Sequence, residues 1–345
     1  MILENMKQID KNPVKKTALL LIDNLLERKD FMYYHVDEVH GIHYAEACTA
    51  FSAMRAAYKL NDTQRLQSLI KRYSITLSDR DTEGCVINTH NHVDVNVYGI
   101  VPLEIFTLTG QTKYLEQGLS LADGQWANPL ANGMSAQSRY WIDDMFMIGA
   151  LQLKAYEVSG DTKYIERTAL TTADYLEKLQ KDNGLFHHGK EAPFYWGRGN
   201  GWCAAAMAQL LKILPQTNEH YISIKSGYIK MMNTLLHFQG KDGMWNQLID
   251  YADSWRESSC TAMFAYSFIE GIKAGLLKET DYGPAVLKAL NSLLQKLDYK
   301  GNLSEICAGT GQSIESSYYL GRPRITGDLH GQAFILYLIN SAIGE

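Results

Sequence analysis

The sequence has no long apolar run and no block of basic residues. Its 345 residues include 33 lysines and arginines against 38 aspartates and glutamates, a formal net charge of −5. Nucleic-acid binding would require a concentrated basic surface, which this balance does not supply. No segment approaches the ~20 apolar residues of a membrane span, and charges at Glu4, Lys7 and Asp10 interrupt any secretory signal. We therefore expect no nucleic-acid partner, no membrane association and a cytoplasmic location.

Cysteine is scarce and follows no recognisable spacing. The five cysteines are Cys48, Cys85, Cys203, Cys260 and Cys307, an odd number of well-separated residues. Zinc sites and secreted disulfide frameworks use closely spaced or even sets instead. The histidines also show no His-Glu-x-x-His arrangement. The sequence therefore predicts unpaired thiols, no metal site and no cofactor.

Aromatic residues, by contrast, are abundant. Six tryptophans and 21 tyrosines are many for this length. They are typical of sugar-stacking surfaces, but plain core packing explains any one of them equally well. The 46% hydrophobic content is enough for one large domain or two ordinary ones. Composition alone does not decide between these possibilities.

A short turn pattern recurs along the chain with a nearly constant spacing. Its copies are NDTQRL at 61–66, GQTKYL at 110–115 and GDTKYI at 160–165, so the threonines at positions 63, 112 and 162 stand 49 and 50 residues apart. Gly or Asn is typical of a helix end, and the following Asp or Thr can cap the next helix. The pattern predicts helix hairpins, with helices over 44–60, 63–73, 101–109, 146–159 and 162–180.

The number of hairpins favours a closed ring. Without a polar capping repeat, we expect an all-α (α/α)6 barrel of about a dozen helices, forming one domain over residues 1–345. Residues 1–15 are expected to be an extended or helical lead-in. An open stack of helical repeats that binds proteins is the alternative. The connections are rich in Trp, His, Arg, Asp and Gly, and this composition favours a functional site over bland turns.

Two segments carry candidate acidic residues. In YWIDDMFMIGALQLKAY, at 140–156, Asp143 and Asp144 are adjacent at a helix start. Neighbours on a helix point about 100° apart, so we expect one to face a pocket while the other caps the helix or contacts a neighbouring one. Asp94, in THNHVDVNVYGIVPLEIF, precedes Asp143 by one repeat of 49 residues. That offset predicts that Asp94 and Asp143 converge at the mouth of the ring.

A third segment, FYWGRGNGWCAAAMAQLL at 194–211, places Arg198 and Trp202 on a glycine-rich turn. Arginine can hold a carboxylate through two hydrogen bonds, and tryptophan offers a stacking face. The spacing is GxGxG, and the strand-helix-strand context of a nucleotide site is absent. His187 and His188 lie just upstream in LFHHGK.

The motifs WIDDMFM, WGRGNGW, ESSCTAMFAY and GDLHGQAF together resemble those of glycoside hydrolase family 105 and its relative, family 88. The resemblance runs over about residues 35–344. It implies an (α/α)6 barrel that removes a 4,5-unsaturated uronic acid from the non-reducing end of oligosaccharides made by polysaccharide lyases. The implied chemistry is hydration of the vinyl ether.

The resemblance also implies roles for individual residues. Asp143 matches the acid that delivers the proton and activates the water, and Asp94 matches the second pocket carboxylate. The implied substrate-binding residues are His188, Arg198, Trp202, Trp141, Tyr44 and His330. Tyr44 stands where the family pattern has a Trp and Gly motif, and a histidine at the position of His330 is found in only part of the family. The sugar that this protein accepts can therefore differ from the sugar that other members accept.

Two other functions remain open from the sequence. One is an inverting glycosidase in which Asp94 and Asp143 act as base and acid on a saturated sugar. The other is a non-catalytic helical-repeat protein. The main prediction is an enzyme whose partner is an oligosaccharide with a terminal unsaturated uronate. The sequence does not fix the oligomeric state, although we favour a monomer.

Overall fold

A computed structural model of the chain describes residues 11–74 and 91–344. Helices dominate both stretches. In chain order they are α1 (Lys11–Glu27), α2 (Tyr44–Lys59), α3 (Thr63–Tyr73), α4 (Val93–Asn96), α5 (Ile100–Thr109), α6 (Thr112–Gly124), α7 (Asp144–Ser159), α8 (Thr162–Leu179), α9 (Gly197–Ile213), α10 (Tyr221–Phe238), α11 (Ser258–Lys273), α12 (Glu279–Gln295), α13 (Ser316–Leu320) and α14 (Leu329–Ile343).

Six of these helices form a closed inner ring. Helix α2 packs on α5, α5 on α7, α7 on α9, α9 on α11, α11 on α14, and α14 returns to α2. Each inner helix pairs with an outer one: α3, α6, α8, α10 and α12 follow their partners in the chain, while α1 packs on α14. The predicted (α/α)6 barrel is confirmed. Residues 11–15 of the expected lead-in belong to helix α1, which is part of the outer wall. Residues 1–10 lie outside the described residues.

The recurring turns form the junctions of the helix hairpins. Gly110 and Gly160 both end a helix with φ of +70°, and Asn61 does so with φ of +55°. This left-handed conformation is easy for glycine and tolerable for asparagine. The side chain of Asp62 then accepts a hydrogen bond from the backbone N–H of Arg65 and caps α3. Local turn chemistry therefore sets these helix boundaries close to the predicted positions.

The centre of the ring is packed with aromatic side chains. The Trp202 ring lies 4.8 Å from Phe146 and 5.1 Å from Phe334, and Phe334 stacks on Tyr337 at 4.9 Å, measured between ring centroids. Inner helices are covered on one side by this core and on the other by an outer helix, so most of their residues are buried. Part of the aromatic content is thus explained by packing.

Three short antiparallel strand pairs lie between the helices. They are β1 (Tyr33–Val36) with β2 (Val39–Ile42), β3 (Trp245–Asn246) with β4 (Arg256–Glu257), and β5 (Ile306–Cys307) with β6 (Arg324–Ile325). Each pair contacts the start of an inner helix or the connection leading to it. None of the helices within the described ranges is long and apolar enough to cross a membrane.

Candidate active site

The inner helices begin at a common mouth of the ring. The Tyr44 hydroxyl at the start of α2 lies 2.9 Å from Nε2 of His330 at the start of α14. The Tyr44 ring meets Trp202, in the first turns of α9, edge-on with 5.9 Å between centroids. Cys203 Sγ donates to the carbonyl of Ile142, just before α7, at 3.5 Å. Residues from four helix starts therefore share this end of the barrel.

Asp143 lies at this mouth, immediately before α7. It occupies the capping position, but its side chain makes no capping hydrogen bond. The residue is 8% exposed, and Oδ2 is buried with no hydrogen-bond partner among the described residues. The nearest charged or titratable contact of this oxygen is Nε2 of His188, at 3.6 Å. Asp143 therefore presents an uncommitted carboxyl oxygen beside a buried histidine, and capping does not account for it.

His188 is fully buried against aromatic side chains. Its ring centroid lies 4.5 Å from Trp196 and 5.6 Å from Trp141. Nδ1 is 2.8 Å from the hydroxyl of Tyr319, and Nε2 has no hydrogen-bond partner in the described chain. Trp141 is partly exposed and also lies under the guanidinium of Arg139, 5.4 Å from its ring centroid. Asp143, His188 and Trp141 thus lie together in one group, and their predicted roles at a substrate pocket remain predictions.

Asp144 has a different environment from its neighbour. Its carboxylate is fully buried and accepts hydrogen bonds from Arg139 Nη2 at 2.6 Å, Arg139 Nε at 3.0 Å and the Tyr175 hydroxyl at 2.8 Å. Burial raises the pKa of Asp144 to about 6, against the opposing effect of Arg139. Of the two adjacent aspartates, only Asp143 therefore keeps a free oxygen.

Asp94 is joined to this network through Arg139 rather than through Asp143. The guanidinium contacts Oδ2 of Asp94 through Nη1 at 2.7 Å and Oδ1 through Nη2 at 3.1 Å. Although burial opposes it, the charges of Asp144 and Asp94 raise the pKa of Arg139. The sequence prediction therefore needs a correction: Asp94 reaches the mouth, but its direct partner is an arginine that sequence reasoning missed. Arg139 stands two residues before the WIDD motif, and this adjacent positive charge was the available signal.

Tyr34, from hairpin β1–β2, closes the Asp94 side of the mouth. Its ring stacks on His92 at 5.8 Å, and burial together with the charge of Asp94 and a hydrogen bond to it raises the pKa of Tyr34. His92 in turn caps α4 by accepting from the backbone N–H of Asp94 at 3.2 Å. Sequence reasoning did not find Tyr34, because nothing local indicates which helix start the hairpin covers.

Tyr44 and His330, both predicted site residues, contact each other. Nδ1 of His330 lies 2.5 Å from Oδ1 of Asp328, which also caps α14. Burial opposes it, but His330 and Arg198 lower the pKa of Asp328, which stays ionised. Burial and the charges of Asp143 and Asp94 all raise the pKa of Tyr44. The phenol therefore lies within the electrostatic reach of both predicted catalytic carboxylates.

Arg198 lies beneath the pocket and has no exposed surface. Nη1 donates to the carbonyl of Cys307 and Nη2 to that of Ala308 at 2.7 Å, while the guanidinium stacks on Trp196 at 4.8 Å. We expected a guanidinium group that is open to a substrate carboxylate. This expectation is corrected, because the guanidinium group is buried and hydrogen-bonded to the backbone. Nε is buried without a partner among the described residues. A direct substrate contact by Arg198 remains a prediction.

Trp202 is likewise different from the expectation. The sequence predicted an accessible stacking face, but the side chain is fully buried between Phe146, Phe334 and Tyr44. It forms the floor below Tyr44 because an inner helix turns this face toward the filled centre of the ring. Trp141 is the partly exposed tryptophan beside Asp143, and it is the better placed of the two to meet a sugar.

The structure also bears on metal binding and on thiols. Over residues 11–74 and 91–344, no group of three or more His, Cys, Asp or Glu side chains is arranged to hold a metal ion. Cys48, Cys203, Cys260 and Cys307 are free thiols and all are buried, whereas Cys85 lies outside the described residues.

A helical toroid with an uncommitted carboxyl group and aromatic walls at one mouth defines a candidate carbohydrate-active enzyme. Comparison with known families makes this class specific. The sequence model of Glycosyl Hydrolase Family 88 matches residues 22–343. The chain belongs to this family and is a glycoside hydrolase.

Individual relatives agree with this assignment. The chain is 23% identical over 329 residues to the unsaturated rhamnogalacturonyl hydrolase YesR of Bacillus subtilis. The aligned region covers 89% of this chain and 90% of that protein. It is 26% identical over 181 residues to an unsaturated 3S-rhamnoglycuronyl hydrolase of an Alteromonas species, covering 48% and 43% of the two chains.

Solved structures share the fold. A possible member of glycoside hydrolase family 105 from Salmonella enterica superposes with a TM-score of 0.83 at 19% identity, covering 97% of this chain and 95% of the other. The unsaturated glucuronyl hydrolase of Bacillus sp. GL1 gives a TM-score of 0.69 at 14% identity, covering 95% and 96%. At these identities the similarity shows the fold alone.

Proposed function

We propose that this glycoside hydrolase removes a 4,5-unsaturated uronic acid from the non-reducing end of oligosaccharides that polysaccharide lyases release. The names of the relatives, which are hydrolases of unsaturated rhamnogalacturonyl and rhamnoglycuronyl units, support this substrate class. The observation that carries the proposal is the carboxyl group of Asp143. It is almost buried, one oxygen has no hydrogen-bond partner within the described structure, and it lies between His188 and the mouth.

The proposed reaction adds water across the C4=C5 double bond. The protonated carboxyl group of Asp143 gives its proton to C4, and positive charge develops at C5 and the ring oxygen. A water molecule attacks C5 and returns one proton to the Asp143 carboxylate, so the acid is regenerated. The resulting hemiketal opens by breaking the bond between C5 and the ring oxygen, which gives a ketone at C5 and a hydroxyl on C1. C1 then becomes an aldehyde as the remaining saccharide leaves with the proton of that hydroxyl. An uncommitted oxygen suits this double role because it has no hydrogen bond to break.

The other residues at the mouth have supporting parts in the proposal. Trp141 provides an aromatic wall for the sugar ring. Tyr44, held by His330, presents its phenol oxygen to the same space. Burial raises the pKa of Tyr44, and the buried charge of Arg198 opposes this rise, so Arg198 contributes through its charge from below rather than through a free fork. Asp94 fixes Arg139 across the pocket.

The geometry disfavours the inverting alternative. An inverting glycosidase needs a second carboxylate that is free to activate water on the opposite face of the sugar. Both oxygens of Asp94 are hydrogen-bonded by Arg139, so this carboxylate is less available as a base.

The free thiols of the four described cysteines support a reducing, cytoplasmic location. We also propose that the protein is a monomer, which analytical sedimentation would test.

The direct test follows the loss of the C4=C5 chromophore. Purified protein is incubated with lyase-generated disaccharides that differ in the second sugar, and the ultraviolet absorbance of the unsaturated uronate is recorded over time. We expect the absorbance to fall with at least one of these substrates, together with release of the second sugar. Release from saturated glycosides without any loss of the chromophore would instead identify an inverting glycosidase.

Asp143→Asn should abolish turnover while the fold survives. General acid–base catalysis contributes on the order of 10²–10⁴ in rate, so we expect kcat to fall by about that factor. The unpartnered oxygen means that the amide sacrifices no native hydrogen bond there. Circular dichroism and the urea midpoint serve as the fold control. Retention of wild-type kcat would rule out Asp143 as the acid.

A further inference from the structure

His188 is held at two points by one distant segment of the chain, residues 308–323. Its backbone carbonyl accepts a hydrogen bond from Nε2 of Gln312 at 3.3 Å, and its Nδ1 lies 2.8 Å from the Tyr319 hydroxyl. The next residue, Gly189, makes this approach possible, because a Cβ there would collide with the Gln312 amide.

The direction of the Tyr319 hydrogen bond follows from its other contact. The phenol oxygen accepts a hydrogen bond from the backbone N–H of Ser313 at 3.2 Å. Tyr319 is fully buried, and burial raises its pKa to about 12, so the hydroxyl keeps its proton at neutral pH. A buried O–H needs an acceptor, and Nδ1 of His188 is the acceptor within reach. Tyr319 therefore donates to His188.

This direction fixes the tautomer of the neutral imidazole. With Nδ1 as the acceptor, the ring proton resides on Nε2. Nε2 has no other partner in the described residues and faces Oδ2 of Asp143 at 3.6 Å, an oxygen that is equally unpartnered. Catalytic hydrogen bonds are often this long before substrate binds. The same bond also selects one of the two ring flips, because a flipped ring would turn a carbon toward the Tyr319 hydroxyl.

We propose that Tyr319 is a positioning residue: it fixes the tautomer and ring orientation of His188 so that the Nε2–H group faces Asp143. The proposal rests on the function proposed above for Asp143. It adds a relay from the Ser313 backbone through Tyr319 and His188 to the reacting carboxyl group. The imidazole also packs against Trp196 and Trp141, and Tyr319 adds the hydrogen bond that sets its ring flip and the position of its proton.

The chain offers a matched pair of variants. Tyr319→Phe removes the hydroxyl and keeps the buried ring. The control is Tyr318→Phe in the same helix α13, which loses a hydroxyl that accepts from the N–H of Gly311 at 2.9 Å and not one that binds His188. For Tyr319→Phe we expect kcat on the unsaturated disaccharide to fall about tenfold with KM changed by less than about twofold. Tyr318→Phe should stay within about twofold in both constants.

A double variant separates positioning from general packing. If Tyr319 acts through His188, then Tyr319→Phe added to His188→Ala should lower kcat no further than His188→Ala alone. Independent losses of the two substitutions, multiplying in the double variant, would overturn the proposal. Wild-type kcat in Tyr319→Phe would overturn it as well.

Nitrogen NMR of the imidazoles tests the tautomer without any substrate. In the wild type we expect the Nδ1 resonance of His188 in the unprotonated range and Nε2 in the protonated range, and Tyr319→Phe should shift the Nδ1 resonance. A protonated Nδ1 at neutral pH would reverse the relay and refute the proposal. Because this measurement needs no turnover, its result is independent of whether the wild type acts on unsaturated uronides, and the two hypotheses can fail separately.

Discussion

At the scale of single residues, the two adjacent aspartates of the WIDD motif have opposite surroundings. Asp144 begins α7 and accepts hydrogen bonds from Arg139 and Tyr175, whereas Oδ2 of Asp143 has no hydrogen-bond partner within the described residues. The rotation of about 100° between helix neighbours explains how one chain position serves structure and the next serves chemistry. Helix geometry alone predicted this division but not which residue takes which part, whereas the family resemblance assigned the acid role to Asp143.

Asp144→Asn should destabilise the fold far more than Asp143→Asn. Arg139 keeps its ion pair with Asp94, but the amide cannot accept the whole Arg139 fork, and leaving a buried hydrogen-bond donor without its acceptor costs about 1–3 kcal/mol. We expect a loss of unfolding free energy in this range in urea titrations at pH 7.5. Asp143→Asn is the matched control, with an expected loss below about 1 kcal/mol. Equal losses in the two variants would contradict the division of roles.

Some site residues could not be predicted because their partners are chosen by the fold. Tyr319 lies 131 residues from His188 in the chain, and no local pattern joins the two. Arg198 was recognised as a charged residue in a glycine-rich motif, but its burial depends on the carbonyl groups of Cys307 and Ala308, which pairing of β5 with β6 brings beneath it. Residue types and spacing indicate chemistry, whereas accessibility depends on tertiary contacts.

At the scale of secondary-structure elements, helix boundaries were predictable because the signals are local. Helix α3 was predicted over 63–73 and runs Thr63–Tyr73, and α8 was predicted over 162–180 and runs Thr162–Leu179. Caps and left-handed residues act within one turn of the chain. The three strand pairs were not predicted. Strands of two to four residues have too little alternation for a pattern, and their pairing is set by the helices around them.

The cap of α3 allows a test of this local control. The Asp62 side chain accepts from the backbone N–H of Arg65 at 3.0 Å and pairs with its Nη1 at 2.6 Å. Asp62→Ala should lower the unfolding free energy by about 1 kcal/mol at pH 7. Gln111 holds the equivalent position before α6 but makes no side-chain capping bond, so Gln111→Ala is the control and should leave stability unchanged.

The Asp62 effect should also depend on pH. Hydrogen bonds from the backbone and side chain of Arg65 lower the pKa of Asp62. A carboxylate with a lowered pKa in the folded state stabilises the protein above its unfolded pKa of about 4, and this contribution is lost as the pH falls through the lower, folded value. The difference between wild type and Asp62→Ala should therefore be constant near neutrality and shrink in acid. A difference that grows in acid would contradict this account of the cap.

At the scale of the whole molecule, ring closure separates this protein from an open helical stack. Helix α1 lies against α14, α2 and α3, so early and late segments of the chain are neighbours. Arg28 Nη2 donates to the carbonyl of Gly327 at 2.6 Å, and Asn24 Nδ2 donates to Oδ1 of Asn302 at 2.9 Å. In an open stack each repeat contacts only its neighbours, and an end repeat can unfold by itself. In a closed ring a weakened wall should affect every hairpin.

Ile22→Ala tests this consequence of closure. Ile22 is fully buried on α1, and its truncation should cost about 2–5 kcal/mol. All six tryptophans lie between positions 126 and 255 and none lies on α1, so their fluorescence does not report the unfolding of α1 itself. We expect fluorescence and circular dichroism to give coincident urea transitions that shift together to lower urea, because the ring unfolds as one unit.

Lys16→Ala, at an exposed position of the same helix, should leave both transitions in place. If circular dichroism instead showed an early partial loss while the tryptophan transition stayed at its wild-type midpoint, α1 would be unfolding alone, as in an open stack.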